Sequence, residues 1–159
     1  MPLLVALAAL AGGCRVDRTR LEASIAGEAA ARGWPVRAVE CPSGASALPG
    51  SRFECTLRFD DAQAVAIAVE VVGVQGDTRW ETTGGRVLDM DVVRSDMARK
   101  IGAALGHAVT VTCPRLARVG VFASGDRFAC EAAGGGARLA IDARVKNDVG
   151  DYEFDWKGE

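Results

Sequence analysis

One cysteine motif occurs twice in the chain, and it constrains the fold more than any other feature of the sequence. The first copy occupies residues 41–55 and the second occupies residues 113–130. Both consist of Cys-Pro, a loop, and then Gly-x-Arg-Phe-x-Cys. Apolar residues at helical spacing precede each copy, and a strand pattern that ends near a tryptophan follows it. The ordered agreement of these features predicts a tandem duplication of one unit.

Each unit is expected to begin with an amphipathic helix. Asp17 is a candidate N-cap for the first helix and Gly33 a candidate stop, while Asp91 and Gly106 flank the second helix. Apolar residues recur every three or four positions along both segments, as expected for one buried helix face. The residues of this pattern are Leu21, Ile25 and Ala29 in the first unit and Val93, Met97, Ile101 and Leu105 in the second.

Four antiparallel strands are expected after each helix, because apolar residues then alternate with small or polar ones. The alternation is clearest at residues 53–59 and 65–71 of the first unit and at residues 139–145 of the second. The predicted fold class is therefore α+β, a tandem repeat of a helix followed by a four-stranded antiparallel sheet, with one disulfide per repeat. The repeats are expected at residues 18–84 and 91–158.

A linker between the two units is predicted around residues 82–91, which include Gly84 and Gly85. Adjacent glycines are typical of loops, because glycine adopts backbone conformations that other residues avoid. The second unit also has a longer loop between its cysteines than the first. Val121 and Phe122 lie in that loop, where they either form an exposed apolar contact or pack inward.

Four of the five cysteines belong to the repeated motif, and four cysteines allow three pairings. A unit of about 70 residues buries little core and needs an additional constraint. We therefore expect one disulfide within each unit, joining Cys41 to Cys55 and Cys113 to Cys130. Adjacent strands hold facing residues at a distance that a disulfide spans. Redox and zinc sites usually have closer cysteine pairs or several histidines, so structural disulfides in an oxidising compartment are favoured.

The fifth cysteine, Cys14, follows an apolar run at residues 3–10. As a helix this run is too short to cross a hydrocarbon core of roughly 30 Å, but its length suits a signal peptide. Residues 10–14 read Leu-Ala-Gly-Gly-Cys and resemble a bacterial lipobox, although Ala11 stands where leucine is usual. The resemblance implies a signal peptide and lipobox at residues 1–14 and a diacylglycerol-type lipid on Cys14. An ordinary secretory signal, or a buried helix with a free thiol, is the alternative.

The side-chain inventory argues against several functions. The formal net charge is −2, whereas a dedicated nucleic-acid-binding protein usually carries a basic face. His107 is the only histidine, so a metal site built on imidazoles is excluded, and its position at a helix end favours a contact with the helix dipole. The glycines at residues 134–136 lack the Lys-Ser/Thr of a phosphate loop. We therefore expect no catalytic residue, no cofactor and no metal site.

The remaining polar and aromatic candidates have structural interpretations. Asp60 and Asp61 are expected to form a turn between strands. Glu153 and Asp155 alternate with aromatic residues and are therefore expected on the solvent side of a strand. The two tryptophans that follow the motifs, Trp80 and Trp156, occupy matching positions in the two units. This correspondence predicts a shared role in the core or on a sheet face.

The motif resembles that of the bacterial domain-of-unknown-function family 4333, which occurs largely in lipoproteins and secreted proteins. The matching residues are Cys41, Pro42, Gly50, Phe53 and Cys55, and then Cys113, Pro114, Gly125, Phe128 and Cys130. The resemblance implies two tandem family domains, export and disulfides, but no established activity. The architecture also resembles that of the β-lactamase inhibitory proteins, secreted tandem repeats whose joined sheets form a concave binding face. That likeness concerns the fold alone.

These observations predict a lipid-anchored, non-enzymatic cell-envelope protein that binds another protein or an envelope component. Its expected partners are the membrane, through a lipid on Cys14, and an unidentified protein or envelope component, without nucleic acid. The alternative is a secreted inhibitor of an enzyme that uses a concave face across both sheets. An envelope hydrolase is a third hypothesis, because paired carboxylates can converge only in three dimensions.

Overall fold

The computed structural model describes residues 14–158, so the apolar run and most of the predicted signal peptide lie outside the described residues. Within residues 14–158 the fold combines helices with antiparallel sheets and contains two disulfides. The helices are α1 (Arg18–Ala31) and α2 (Met90–Leu105). The strands are β1 (Val36–Glu40), β2 (Arg52–Phe59), β3 (Ala64–Val71), β4 (Thr78–Thr82), β5 (Arg86–Asp89), β6 (Thr110–Thr112), β7 (Val119–Phe122), β8 (Arg127–Gly134), β9 (Ala137–Val145) and β10 (Tyr152–Gly158).

Both helices begin at an aspartate and end at a glycine. The Asp17 carboxylate accepts a hydrogen bond from the backbone N–H of Arg20 and caps α1, as the sequence predicts. Gly33 follows α1 with a φ of 79°, and Gly106 ends α2 with a φ of 76°. The N-cap of α2 is Asp89, whose carboxylate accepts from two backbone N–H groups, so the expectation that Asp91 precedes the helix is wrong. Asp91 instead lies in the first turn, where a negative charge also favours the helix dipole.

The first four-stranded sheet has the order β1-β2-β3-β4, and all of its neighbours are antiparallel. Its inner face packs against the apolar face of α1. Alternate residues of β2 and β3 point to this core, which explains their period of two in the sequence. The central core residues are Leu21, Ile25, Ala29, Leu57, Phe59, Val65, Ile67 and Val69.

The second four-stranded sheet has the order β6-β8-β9-β10 and is also antiparallel throughout. Its core lies against α2 and is formed mainly by β8 and β9. The turn between these two strands consists of Gly135 and Gly136, whose φ values are 59° and 83°. Two consecutive residues with positive φ are typical of the tightest β-hairpins, so the glycine run has a backbone role. The buried residues of this core include Met97, Ile101, Phe128, Ala132, Ile141, Ala143 and Val145.

A third, two-stranded sheet joins the two cores, and the sequence does not predict it. It pairs β5, from the expected linker, with β7, from the longer loop of the second half. Val87 and Val119 belong to the first core, whereas Phe122 belongs to the second. The expected linker therefore contains a strand, and the apolar pair at residues 121–122 packs inward instead of standing exposed. Strands of four residues are too short to give a recognisable period in the sequence.

Gln63, in the turn before β3, links the first half of the chain to this third sheet. Its side-chain N–H donates to the carbonyl oxygen of Val119 at 3.0 Å, and its carbonyl oxygen accepts from the N–H of Val121 at 2.9 Å. The amide therefore satisfies two backbone groups of β7 as a paired strand would. Asp61 accepts a second hydrogen bond from the same side-chain nitrogen and orients the amide.

Candidate functional site

Cys14 is the free cysteine of the described chain, and it is exposed. Its backbone carbonyl accepts a hydrogen bond from the N–H of Ala47 at 2.9 Å. Arg15 forms a β-bridge with Ser46, and the N–H of Val16 donates to Ala45. These bonds fix the start of the described chain against the loop between β1 and β2. A cavity of about 500 Å³ beside Cys14 separates α1 from the turn between β3 and β4.

Two buried disulfides hold the remaining cysteines, and their pairing is the one that the sequence predicts. Cys41 is bonded to Cys55 with a Cα–Cα distance of 4.3 Å, and Cys113 is bonded to Cys130 with a Cα–Cα distance of 4.0 Å. All four residues belong to the two hydrophobic cores. Disulfides are typical of oxidising extracellular compartments. Neither helix of residues 14–158 is long and apolar enough to cross a membrane.

The other polar candidates lie apart from one another. Asp61 orients Gln63 in the turn after β2, and Asp60 is exposed beside it. His107 is exposed after α2 and packs over Gly135, where a β-carbon would lie 2.8 Å from the imidazole ring. Glu153 and Asp155 are exposed on β10, on the face opposite the aromatic residues. Within residues 14–158 no group of His, Cys, Asp and Glu side chains is arranged to hold a metal ion.

A row of five aromatic rings runs from the second core to the protein surface. It consists of Phe122, Phe128, Tyr152, Phe154 and Trp156, and we call it the aromatic row. Successive ring centroids are 4.8, 6.5, 6.2 and 5.9 Å apart. Phe122 and Phe128 are buried, whereas Trp156 at the outer end is 37% exposed. The outer end of the row is therefore an exposed aromatic group that packs on partly buried and buried rings.

The outer half of the aromatic row belongs to β10, the edge strand of the second sheet. Its three rings face the same side as the buried residues of β9 with which they pair, so they extend the core face to the edge of the sheet. Lys100 of α2 lies over this edge, with its ammonium 5.9 Å from the ring centre of Tyr152 and 5.7 Å from that of Phe154. An ammonium at this distance from an aromatic face is attracted by the ring quadrupole.

The strand register contradicts the predicted correspondence of the two tryptophans. Cys55 pairs with Ile67 and Cys130 pairs with Ile141, which aligns the central strands of the two halves. Trp156 lies opposite Ile141, but Trp80 lies opposite Val69, two residues beyond Ile67. The counterpart of Trp80 is therefore Phe154, which lies opposite Ala143. Counting residues from the cysteines is misleading because the turns of the two halves differ in length.

Trp80 is covered in the first half of the chain, in contrast to the open end of the aromatic row. Its indole N–H donates to Glu28 at 3.0 Å, and the guanidinium of Arg32 lies 4.2 Å from its ring centre. Trp34 packs edge-on against it, with 6.2 Å between ring centres. Trp80 is 9% exposed. The first sheet therefore uses its tryptophan for packing with α1, and the second sheet leaves its tryptophan at the surface.

Asp96 anchors the polar side of the aromatic row. The ammonium of Lys100 lies 2.8 Å from its carboxylate, the Tyr152 hydroxyl donates to it at 2.7 Å, and Arg99 pairs with it. The pKa of Asp96 is lowered from 3.8 to about 2. The Lys100 contact is the largest cause, the bonds from Tyr152 and Arg99 add to it, and burial acts in the opposite direction. Burial, reinforced by the Asp96 carboxylate, raises the pKa of Tyr152 well above 10. Asp96 therefore stays ionised and fixes both Lys100 and the tyrosine.

Asp96→Asn is expected to remove a stabilisation that depends on pH. Because the folded pKa of Asp96 lies below its unfolded value, this stabilisation is complete above pH 4 and is lost as the pH falls towards 2. Allowing for solvent screening, we expect a loss of about 1 kcal/mol at pH 7 and almost none at pH 2. Urea unfolding of both proteins across this range measures the difference.

A second measurement separates this effect from a general loss of stability. The chain has one tyrosine, so tyrosinate absorbance reports Tyr152 alone. Removing the carboxylate charge should lower the pKa of Tyr152 in the Asp96→Asn variant. Asp142→Asn, which removes an exposed carboxylate paired with Arg127, serves as the matched control and should leave the titration unchanged. An unaltered Tyr152 titration in Asp96→Asn would contradict the assigned contact.

Sequence reasoning did not find this cluster, although part of its signal is present. Asp96 and Lys100 are four residues apart on α2, which is a familiar spacing for an ion pair on one helix face. The alternation of Tyr152, Phe154 and Trp156 predicts one aromatic strand face. The contact between the charged pair of α2 and the aromatic residues of β10 depends on how α2 packs on the second sheet. No local sequence pattern encodes that packing.

Comparison with known families supports the resemblance of the first half of the chain to the domain-of-unknown-function family 4333. Residues 2–76 match the family described as a domain of unknown function (DUF4333). The match includes Cys14, the first disulfide and the strands up to β3, and it ends before β4. The chain is therefore similar to this family over its N-terminal half. No curated protein and no solved structure matches the chain.

Proposed function

We propose that this chain is a non-enzymatic cell-envelope protein, attached to the membrane by a lipid on Cys14, that binds a protein or an envelope component. The position of Cys14 is the main observation in favour of lipid attachment. It is exposed, it lies outside both disulfides, and three small residues separate it from the apolar run at residues 3–10. A free exposed thiol in an oxidising compartment is unusual, and lipid modification accounts for it.

The compartment of the proposed function is supported by the buried disulfides. Each one joins the residue that directly follows an outer strand, β1 or β6, to the neighbouring strand, β2 or β8, and both lie within a small hydrophobic core. Such bonds persist in exported proteins. A bacterial lipoprotein meets this condition because its folded part lies outside the cytoplasmic membrane. A single acyl chain binds membranes only marginally, so stable attachment requires the two chains of a diacylglycerol.

We infer further that the two halves arose by duplication. A helix precedes each four-stranded sheet, and the two sheets have equivalent strand orders. In each sheet the second strand in that order, β2 or β8, carries the second cysteine of the disulfide. The units at residues 18–84 and 91–158 then correspond to two family domains. The third sheet joins them, and its counterpart in the first half is the single antiparallel bridge between Arg15, before α1, and Ser46, in the loop between Cys41 and Cys55.

The binding role is supported by the aromatic row. Aromatic side chains at a surface supply a large contact area and are enriched at protein interfaces. Trp156 is exposed at the end of a packed series of rings, and among residues 14–158 no strand pairs with the outer edge of β10. A partner strand could pair with this edge while its side chains contact the rings. We therefore assign the row as the binding surface.

Metabolic labelling with a fatty acid tests the attachment. The full chain is produced in a bacterial host with a clickable fatty acid, and the membrane fraction is analysed by gel and mass spectrometry. We expect label on the wild-type chain and its loss in Cys14→Ala. Arg15→Ala, at the neighbouring exposed position, should keep the label. Unlabelled wild-type protein in the medium would overturn the anchor and favour the secreted inhibitor.

Site-specific photocrosslinking tests the binding surface. A photoreactive amino acid replaces Trp156 in one variant and Asp155 in another, because these neighbours lie on opposite faces of β10. We expect a discrete crosslinked partner from position 156, competed by excess wild-type protein, and none from position 155. Crosslinks of equal yield from both positions, or from neither, would count against the aromatic row as the contact.

A further inference from the structure

A second exposed apolar surface lies near Cys14, in the first half of the chain, whereas the aromatic row belongs to the second half. Three large aliphatic side chains are exposed there, and we call them with Cys14 the N-terminal apolar surface. Leu48 is 61% exposed, Val72 is 50% exposed and Val74 is 89% exposed. Five large hydrophobic residues of the described chain are at least 50% exposed, and three of them belong to this surface. Such clustering is typical of a surface that is covered in the working protein.

Hydrogen bonds and a shared cavity hold these residues at one end of the first sheet. The N–H of Ala47, next to Leu48, donates to the carbonyl of Cys14. The N–H of Gly50 donates to the carbonyl of Val71 at 2.7 Å, which brings the Leu48 loop beside Val72. Cys14, Ala47 and Val74 line the same cavity of about 500 Å³. The segments that carry the three exposed aliphatic side chains therefore lie close to Cys14 at one end of the first sheet.

The charges around this cavity cancel one another. Arg15 and Arg20 line it together with Asp17 and Asp77, which gives two positive and two negative groups. Contact with this surface would therefore depend on its apolar side chains more than on its charge. Binding of this kind changes little with salt or with the headgroup charge of a lipid.

We propose that the N-terminal apolar surface rests on the phospholipid bilayer, which deepens the proposed function and rests on it. Three residues separate the apolar run at residues 3–10 from Cys14, and the lipobox-like cysteine is itself part of this surface. Attachment through either one brings the membrane to Cys14, and therefore to Leu48, Val72 and Val74. Aliphatic side chains at an interface of this kind enter the boundary between headgroups and acyl chains. Three such side chains bind weakly alone, but they orient a protein that is already attached.

The second half of the chain provides a matched reference position. Val149 lies in the turn before β10, which corresponds to the turn of Val74 before β4, and it is 67% exposed. Its turn packs beside β5, where Arg86 donates to the carbonyl of Asp148 at 3.0 Å. Val149 is therefore a valine of similar exposure in a similar turn, but without Cys14 and the Leu48 loop beside it.

Thiol accessibility tests the proposal in the full chain. Val74→Cys and Val149→Cys are produced separately in bacteria, and non-reducing mass spectrometry verifies that both native disulfides are intact. Isolated membranes are treated with a maleimide that does not cross lipid, before and after solubilisation in detergent. We expect position 74 to react at least about fivefold more slowly than position 149 in membranes, and equally fast in detergent, because the bilayer covers it.

The outcomes distinguish this proposal from the anchor. Equal reaction of both positions in membranes would overturn the bilayer contact and leave the anchor intact. Protection of position 74 that persists in detergent would indicate a protein partner or a second copy of the chain, and would also overturn it. If the chain is found in the soluble fraction, the anchor fails. The bilayer contact rests on the anchor and is overturned together with it in that case.

Discussion

Removal of the disulfide between Cys113 and Cys130 is expected to lower the free energy of unfolding by about 3 kcal/mol. The bond closes a loop of 17 residues, and breaking it allows the unfolded chain many more conformations. Both cysteines are also buried in the second core, at 6% and 5% exposure, so their replacement removes apolar contacts. A domain with a core of this size has little stability to spare.

The measurement is chemical unfolding of the double variant Cys113→Ala/Cys130→Ala against the wild-type chain under non-reducing conditions. Both cysteines are changed together because one remaining thiol could pair with Cys14. Cys41→Ala/Cys55→Ala is the matched variant of the first half, where the loop has 14 residues and a similar loss is expected. A loss below about 1 kcal/mol in both variants would show that the bonds are not structural constraints.

The shape of these unfolding curves also tests the link between the two halves. The third sheet contributes Val87 and Val119 to the first core and Phe122 to the second. Loss of either disulfide should therefore shift one cooperative transition instead of producing a separate early one. Two resolved transitions would mean that the halves unfold independently and that the third sheet couples them only weakly.

Sequence patterns predicted the parts of this fold that depend on local periodicity. The apolar spacing of Leu21, Ile25 and Ala29 marks the buried face of α1, and the alternation along β2 and β3 marks their inner face. The disulfide pairing followed from the repeated motif together with the need of each small core for a constraint. These features depend on residues close in sequence, or on two similar sequence motifs that can be compared with each other.

The parts that were missed depend on contacts between distant residues. Strand β7 lies within a loop in the sequence, and it becomes a strand because β5 provides a partner for its backbone. Asp96 and Tyr152 are 56 residues apart, and the packing of α2 on the second sheet brings them together. The surface around Cys14 likewise combines a loop and a turn that no single pattern connects. Candidate binding surfaces of this protein are therefore properties of its tertiary packing.

Gln63→Leu is expected to destabilise the protein by about 2 kcal/mol, although it introduces an apolar residue of similar size. The substitution removes both hydrogen bonds that the amide makes with the backbone of Val119 and Val121. These groups lie in a part-buried position, where a donor or acceptor without a partner costs more than an average hydrogen bond contributes. Gln75→Leu, at the exposed second glutamine of the chain, is the matched control and should change stability little.

Gln63→Glu separates hydrogen bonding from space filling, because the two side chains have nearly the same shape. A carboxylate can still accept from Val121, but it cannot donate to Val119, and it lies beside Asp61. The ionised glutamate should therefore destabilise the chain and have its pKa raised by the fold, so protonation should restore part of the loss as the pH falls towards about 4. Unfolding experiments at pH 7 and pH 3 measure this recovery. If Gln63→Glu were as stable as the wild type at pH 7, the amide would only fill space, and the coupling of the two halves would have to come from the apolar contacts of the third sheet.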